Sequence, residues 1–423
     1  MKVAGIIAEY NPFHKGHLYQ IEKTKEVLGE NTFLVVVMSG NFMQRGEPAV
    51  FGKWTRAQSA LACGADLVLE LPFTFSCAPA ERFAQGAVST LSQLGIVTHL
   101  SFGSENNDLP LLEKISAAVH APSLETENTL REHLKTGVSY AKAKELSIIE
   151  AFIKDGDTET AARVSTILSS PNAILALEYL HALKKTSITP LPILRKGAGY
   201  LDIAEKEGVL SATGIRHLMK KNPSVEGLAK TLAGTLPRPS AAALLADKKK
   251  DSPLVFLEDF AFEFVHSLSI HAENDIEKIA YMTDQLHGRL KNSIDGLRLF
   301  EEKTLSEVFF EKAYTRRFLT TRVNRSLISL LLGQTQEDIQ GISDPSYARV
   351  LGFRKNGRYL LKKIKETCSL PVITKSSDFR EHEKNPLLRR TAELDLLATE
   401  LWNQKANIPF GDEFQRQVIM EKS

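Results

Sequence analysis

The chain predicts an α/β fold, with a mostly parallel sheet in its first half and a mostly helical part after it. Three observations carry that expectation. Short apolar, β-branched runs recur through the first hundred residues, segments of helical length separate them, and helical patterns dominate beyond about residue 250. Buried parallel strands look like short apolar runs, and each parallel pairing needs a long crossover, so a doubly wound sheet follows.

The elements can be taken in order. Val3 to Ala8 is the first strand-like run, and Phe33 to Met38 (FLVVVM) is the second. Leu67 to Leu71 and Ile96 to Phe102 are the third and fourth. His17–Leu28, Thr55–Cys63 and Pro79–Leu94 suit the helices between them. From about Leu109 to Tyr179 the pattern is helical, then Thr189–Arg195 (TPLPILR) is strand-like again. Gly197, Gly199 and the stretch SATGIRHLMKK from Ser211 follow. The DKKKD run at Asp247–Asp251 reads equally as a solvated linker or a helix end. Helices are expected from there to about Lys365, with a polar, less regular tail. The expected division is 1–245, a sheet domain with a helical insertion, and 246–423, a separate helical domain.

With 423 residues, 43% of them hydrophobic, the chain can bury a large core. Its formal charge of +2 carries no signal for nucleic acid, so any such signal must be local. Three scattered cysteines, Cys63, Cys77 and Cys368, fit neither a disulfide framework nor a zinc site, and point to a reducing cytoplasm. The opening MKVAGIIAEY is too short an apolar run for a signal peptide, and no stretch reaches the ~20 apolar residues of a membrane span.

The most informative segment is Ala8-Glu9-Tyr10-Asn11-Pro12-Phe13-His14-Lys15-Gly16-His17, between the first strand and the first helix. Ligands of open α/β sheets bind there, where free N–H groups and the helix dipole attract phosphate. His14 and His17 are spaced to share one side of a turn. Each imidazole can donate to phosphoryl oxygen without the desolvation burden of an ammonium group. Gly16 allows close backbone approach and Pro12 stiffens the turn. The bland alternative is two surface histidines near a helix start.

Asn11 to His17 resembles the HxGH signature of the HIGH nucleotidyltransferase superfamily, and Ser211-Ala212-Thr213-Gly214-Ile215-Arg216 resembles its SSTxIR signature, with Ala212 in place of a serine. The resemblance implies a Rossmann-like, HUP-type nucleotidyltransferase sheet. It also implies that His14, His17 and Arg216 act on the leaving phosphates, while Ser211 and Thr213 cap the helix or donate to phosphate.

Further stretches narrow the match: Met38-Ser39-Gly40-Asn41-Phe42, Gln44 to Ala49, Lys53 to Ala57, Leu69 to Pro72, Ser101 to Glu105, Ser170-Pro171-Asn172 and Gly197 to Tyr200. Together they resemble the bacterial tRNA(Met) cytidine acetate ligase family across essentially the whole chain. That resemblance implies activation of acetate with ATP to acetyl-adenylate, then acetylation of the wobble cytidine of elongator tRNA(Met) to N4-acetylcytidine. It places ATP on Ile7, Ala8, Glu9, Tyr10, Asn11, Pro12, Phe13, His14, Lys15, Gly16, His17, Leu18, Tyr19 and Gln20, and on Gly103, Asn172 and Arg195. Mg²⁺ is expected on the phosphates, and Lys15 or Arg195 is expected to help neutralise them.

Ser39, Gly40, Asn41, Gln44 and Arg45 follow the second strand, and either hold cytidine or acetate or form a solvated loop. Lys53 and Arg56 bind RNA phosphate or lie on a helix surface, and Glu70 faces the pocket or pairs with a neighbouring base. Cys63 is expected in the core.

Between Glu311 and Lys363 eleven basic side chains oppose four acidic ones, a formal +7 in a nearly neutral chain. Over Arg317–Leu331, Leu319, Val323, Leu327 and Leu330 form a packing stripe from which Arg317, Arg322 and Arg325 point away. These three, with Arg354, Lys355 and Arg358, are the expected tRNA surface. Tyr314, Phe318, Tyr347 and Phe353 are available to stack on bases or to fill core. A solvated basic helix is the alternative. Two competing functions share these features: a metabolite adenylyltransferase, and a tRNA-binding protein with a degenerate pocket.

Overall fold

The computed structural model describes residues 1–195, 210–248, 252–282, 285–295, 297, 303–382 and 384–421. Its centre is a Rossmann-like parallel sheet of β1 (Val3–Ala8), β2 (Phe33–Ser39), β3 (Leu67–Leu71), β4 (His99–Ser104) and β5 (Thr189–Leu194). Their order is β5-β4-β1-β2-β3, all parallel, with Ile6 beside Val36 and Gly5 beside Leu100. The crossover from β1 runs to β2 on one side, and the one from β3 returns to β4 on the other, which opens a crevice at the carboxyl end of β1.

β2 shows why these runs are continuously apolar. Val35 and Val37 pack with Phe83, Ala87 and Leu91 on one face, while Leu34, Val36 and Met38 pack with Ile21, Ala57 and Leu61 on the other. Both faces are covered, so no polar alternation survives, and each buried Val or Leu contributes roughly 1.5–3 kcal/mol. Gly5 lets the helix Ala80–Gln93 settle onto β1, since a Cβ there would stand 2.7 Å from Leu91. Five helices, from Leu109–His120 to Pro171–Leu183, fill the connection from β4 to β5.

The second half is mostly helical, but it is not separate. Ala348–Arg354, expected to be helical, is a strand, β6, antiparallel to β3. β7 (Val372–Ile373) and β8 (Ile419–Glu421) pair with it and complete the eight-stranded sheet. Nor is the tail irregular: Pro386–Lys405 is a helix whose first turn is capped by the Asn385 side chain. Phe42 and Phe73 share one core cluster with Phe260, Leu394 and Trp402. The sheet and the core both cross the expected division at residue 245. Asp247 and Lys248 close the helix Arg238–Lys248, whereas 249–251 lie outside the described residues, as do Lys196, Gly197, Ala198, Gly199 and Tyr200.

A buried ionic cluster welds the halves and corrects the reading of Lys53 and Arg56. Lys53 is 2% exposed, and its Nζ lies 2.9 Å from Glu70 and 3.0 Å from Glu413. Arg349 lies 3.2 Å from the same Glu413. Arg56, fully buried, donates to the carbonyls of Phe51, Glu9, Ser39 and Gly40. Both charges sit inside the protein and not at its surface. Glu70 takes the ion-pair alternative, and Cys63 is in the core. Among the described residues no helix is long and apolar enough to cross a membrane.

Candidate active site

The turn after β1 is tightly built. Tyr10 adopts a left-handed backbone, φ 49°, and the Asn11–Pro12 bond is cis. A tyrosine at positive φ costs about 1–3 kcal/mol, so its surroundings must hold it. Its ring, 1% exposed, stands 4.7 Å from Phe13 and edge-on to His17 at 4.8 Å.

His14 is the N-cap of the helix Lys15–Leu28, and its Nδ1 accepts the Gly16 N–H at 3.0 Å. Nδ1 of His17 accepts the His14 N–H at 3.2 Å. The two rings stack with centroids 3.8 Å apart. With both Nδ1 lone pairs engaged, the proton of each neutral ring sits on Nε2. Burial, then repulsion from Arg195 and Arg216, lowers the pKa of His14 to about 3. Burial, then His14 and Arg195, holds His17 well below the ordinary histidine range. The pair is a neutral double donor, its tautomers set by the backbone that it caps.

Two arginines flank it. Ser211 accepts the Gly214 N–H at 3.1 Å and so caps the helix Ala212–Lys221. From that helix Arg216 donates to the carbonyl of Asn11 at 3.0 Å and to Thr213 Oγ1 at 3.3 Å, and lies 3.4 Å from Glu47. Arg195 follows β5 and lies over Gly103, where a Cβ would stand 3.2 Å from its Cγ. Glu105, whose role nothing in the sequence signals, organises this side. It accepts from Asn172 at 2.5 Å and Ser170 at 2.9 Å, and its carboxylate is 3.9 Å from Arg195.

His14, His17, Gly103, Asn172, Arg195, Ser211 and Arg216 line one cleft of about 1030 Å³, open mouth included, together with Ile7, Ala8, Glu9, Gln20, Gln44 and Arg45, while Glu105 stands behind its wall. Its apolar wall, also missed in the sequence, is Phe83, Phe102, Leu175 and Tyr179. Volume and mixed lining suit a nucleotide-sized ligand. A smaller adjoining recess reaches Gly16 and Tyr19.

Other expected residues serve the frame. Lys15 turns outward, donates to the Gly234 carbonyl at 2.6 Å and does not line the cleft. Phe13 and Leu18 pack into the core beside Pro12, and Gln20 donates to the Ser101 carbonyl at 3.0 Å. Ser39, Gly40 and Asn41 are buried scaffold. Arg56 holds the first two carbonyls, and Asn41 Oδ1 accepts the Lys53 N–H at 2.8 Å. Of that loop only Gln44 and Arg45 line the cleft.

The basic segment divides. Arg317 is exposed, and Arg322 donates to the Tyr281 carbonyl at 3.2 Å. Arg325, expected to point outward, turns in and donates to the Gln44 carbonyl at 3.0 Å. Leu319 is 76% exposed, so the packing stripe begins at Val323. Arg354, Lys355 and Arg358 stand at the far edge of the sheet. β6 runs antiparallel to β3 and pairs Phe353 with Leu67, at the end opposite the cleft. Tyr347 and Phe318 are core.

The model of the family described as HIGH Nucleotidyl Transferase matches residues 1–415. The chain is 38% identical to the tRNA(Met) cytidine acetate ligase of Acetivibrio thermocellus, over 99% of this chain and all of that protein. It is 30% identical to Thermotoga maritima TmcAL, with full coverage of both chains. The TM-score is 0.89 to the apo crystal structure and 0.88 to the one bound with alpha-thio ATP.

Proposed function

The chain belongs to the tRNA(Met) cytidine acetate ligases among the HIGH nucleotidyl transferases, and from that premise we propose that it joins acetate to the wobble cytidine of elongator tRNA(Met) at the expense of ATP. Acetate oxygen attacks the α-phosphorus, the bond to the bridging oxygen breaks, and pyrophosphate leaves with the electron pair. The acetyl group of the resulting acetyl-adenylate then passes to cytosine N4, giving N4-acetylcytidine and AMP.

The observation that carries this is the stacked, neutral His14–His17 pair, with two Nε2–H groups flanked by Arg195 and Arg216 in one cleft. Preorganised donors of this kind stabilise charge that grows on a departing phosphate, and neutral rings hold their protons without ionising. Gly103 and Asn172 belong to the wall that would take the nucleoside. Mg²⁺ is expected bound to the triphosphate. The described residues contain no cluster of three or more metal-ligating side chains, so phosphate and water oxygens would hold it rather than a protein cage. RNA would approach over Arg317 and Arg322, and an anticodon base is unstacked enough to enter a cleft.

Nucleoside mass analysis of tRNA after incubation with the chain, ATP and labelled acetate tests the proposal. Label in N4-acetylcytidine at the wobble position is expected. AMP transfer to a phosphorylated metabolite instead would favour an adenylyltransferase, and ATP binding without turnover would favour a tRNA-binding protein.

A further inference from the structure

Glu9 is a carboxylate in a cleft built for anions. Among the described residues lining it, Glu9 is the one acidic side chain. Its Oε1 accepts the Gln44 N–H at 2.8 Å, and its backbone carbonyl accepts from Arg56 at 2.6 Å, so chain and carboxyl are both held. No protein donor among the described residues meets Oε2. Burial raises the carboxyl pKa, opposed by the Gln44 N–H, Arg216 and Arg45 and aided by Glu47.

A fixed carboxylate repels a triphosphate, so its partner must be a donor or a cation. The proposed reaction brings three: the adenine amine, the cytosine N4 amine and magnesium. Position selects among them. Glu9 is tied to the loop after β2, whereas Phe102 and Leu175 of the apolar wall lie toward β4, on the other side of β1. Of that wall, Tyr179, its phenol pKa raised first by burial, comes near enough for the Glu9 charge to raise it further. A purine suits that wall. The carbonyl of the same Gln44 accepts from Arg325, on the helix that also carries Arg322. A base delivered by RNA lying over that helix arrives at Glu9. Carboxylates are natural acceptors for cytosine N4.

We infer that Glu9 Oε2 receives the N4 amine of the target cytidine and accepts its proton during acetyl transfer, a role that rests on the function proposed above. The N4 lone pair attacks the acetyl carbonyl carbon and the new C–N bond forms. The bond from that carbon to the adenylate oxygen breaks, AMP leaves with the electron pair, and the N4 proton moves to Oε2 and then to solvent.

The test uses Glu9→Gln in the full chain, which keeps an oxygen for the Gln44 N–H but cannot take a proton. Acetate-dependent ATP–pyrophosphate exchange, which Glu9 also borders in the cleft, should fall by a much smaller factor than acetyl transfer does. The kcat for acetyl transfer to tRNA should fall ~10²–10³-fold with KM for tRNA little changed, as for loss of a general base. Glu9→Asp, which keeps the charge, should recover part of the rate. Exchange lost in step with transfer in both variants would assign Glu9 to ATP or to magnesium and overturn the inference, as would unimpaired transfer in Glu9→Gln. A wild-type chain that exchanges pyrophosphate but acetylates no tRNA would overturn the proposed function and this inference together.

Discussion

His14 performs two tasks that one pair of substitutions can separate. Its Nδ1 caps the first helix through the Gly16 N–H, and its Nε2–H is free to serve the cleft. His14→Ala removes both. His14→Asn puts a side-chain oxygen near the place of Nδ1, restoring the cap, but leaves nothing at Nε2. Loss of an N-cap costs about 1 kcal/mol. For 423 residues unfolding together, the entropy of unfolding is roughly 0.9 kcal/mol per kelvin, so Tm should fall by only about 1 °C in the alanine variant and hardly at all in the asparagine one. Loss of one preorganised donor costs about 2.7–4 kcal/mol of barrier, or ~10²–10³ in rate. Acetate-dependent ATP–pyrophosphate exchange should therefore collapse in both variants, while thermal unfolding separates them slightly. If His14→Asn exchanged pyrophosphate within threefold of wild type, His14 would be a cap and no more, and the phosphate role would have to be withdrawn.

Other outcomes follow from the same structure. Lys53→Met strands Glu70 in the core, while Glu413 keeps Arg349, and should destabilise by about 3–5 kcal/mol without changing the salt dependence of tRNA binding; an unshifted urea midpoint with a flatter salt dependence would return Lys53 to the RNA. Reversing the charges of Arg317 and Arg322 should lower the salt slope of tRNA binding by roughly one for each phosphate left unneutralised, whereas reversing Lys355 and Arg358 at the far edge should not; an equal fall from both pairs would mean that the RNA spans the sheet. Asp395 is raised to about 7 by burial and by Glu70, and accepts from Tyr347 and Phe73. The folded carboxyl keeps its proton up to about pH 7, whereas the unfolded one loses it near ~3.9, so this group's stabilisation is present at low pH and lost as pH rises from about 4 to 7. Asp395→Asn should remove that slope from urea midpoints measured across the window, and an identical slope in the variant would refute the assignment.

The sequence by itself determined whatever depends on near neighbours. Strand periodicity, the turn from Ala8 to His17 and the capped helix after Ser211 are local, because backbone geometry and apolar spacing act over a few residues. Tertiary structure decided where charge goes. A lysine and an arginine on a helix read alike whether water or Glu413 meets them, so Lys53 and Arg56 were legible as basic but not as buried. Arg195, Asn172 and Glu105 meet only because β4 and β5 pair and the helix Pro171–Leu183 lies beside them. A run of basic residues likewise cannot reveal that β6 reverses within it, carrying Lys355 and Arg358 to one edge of the sheet while Arg325 turns toward the other. Burial of a polar group is set by partners distant in the chain, and only the folded chain brings them to it.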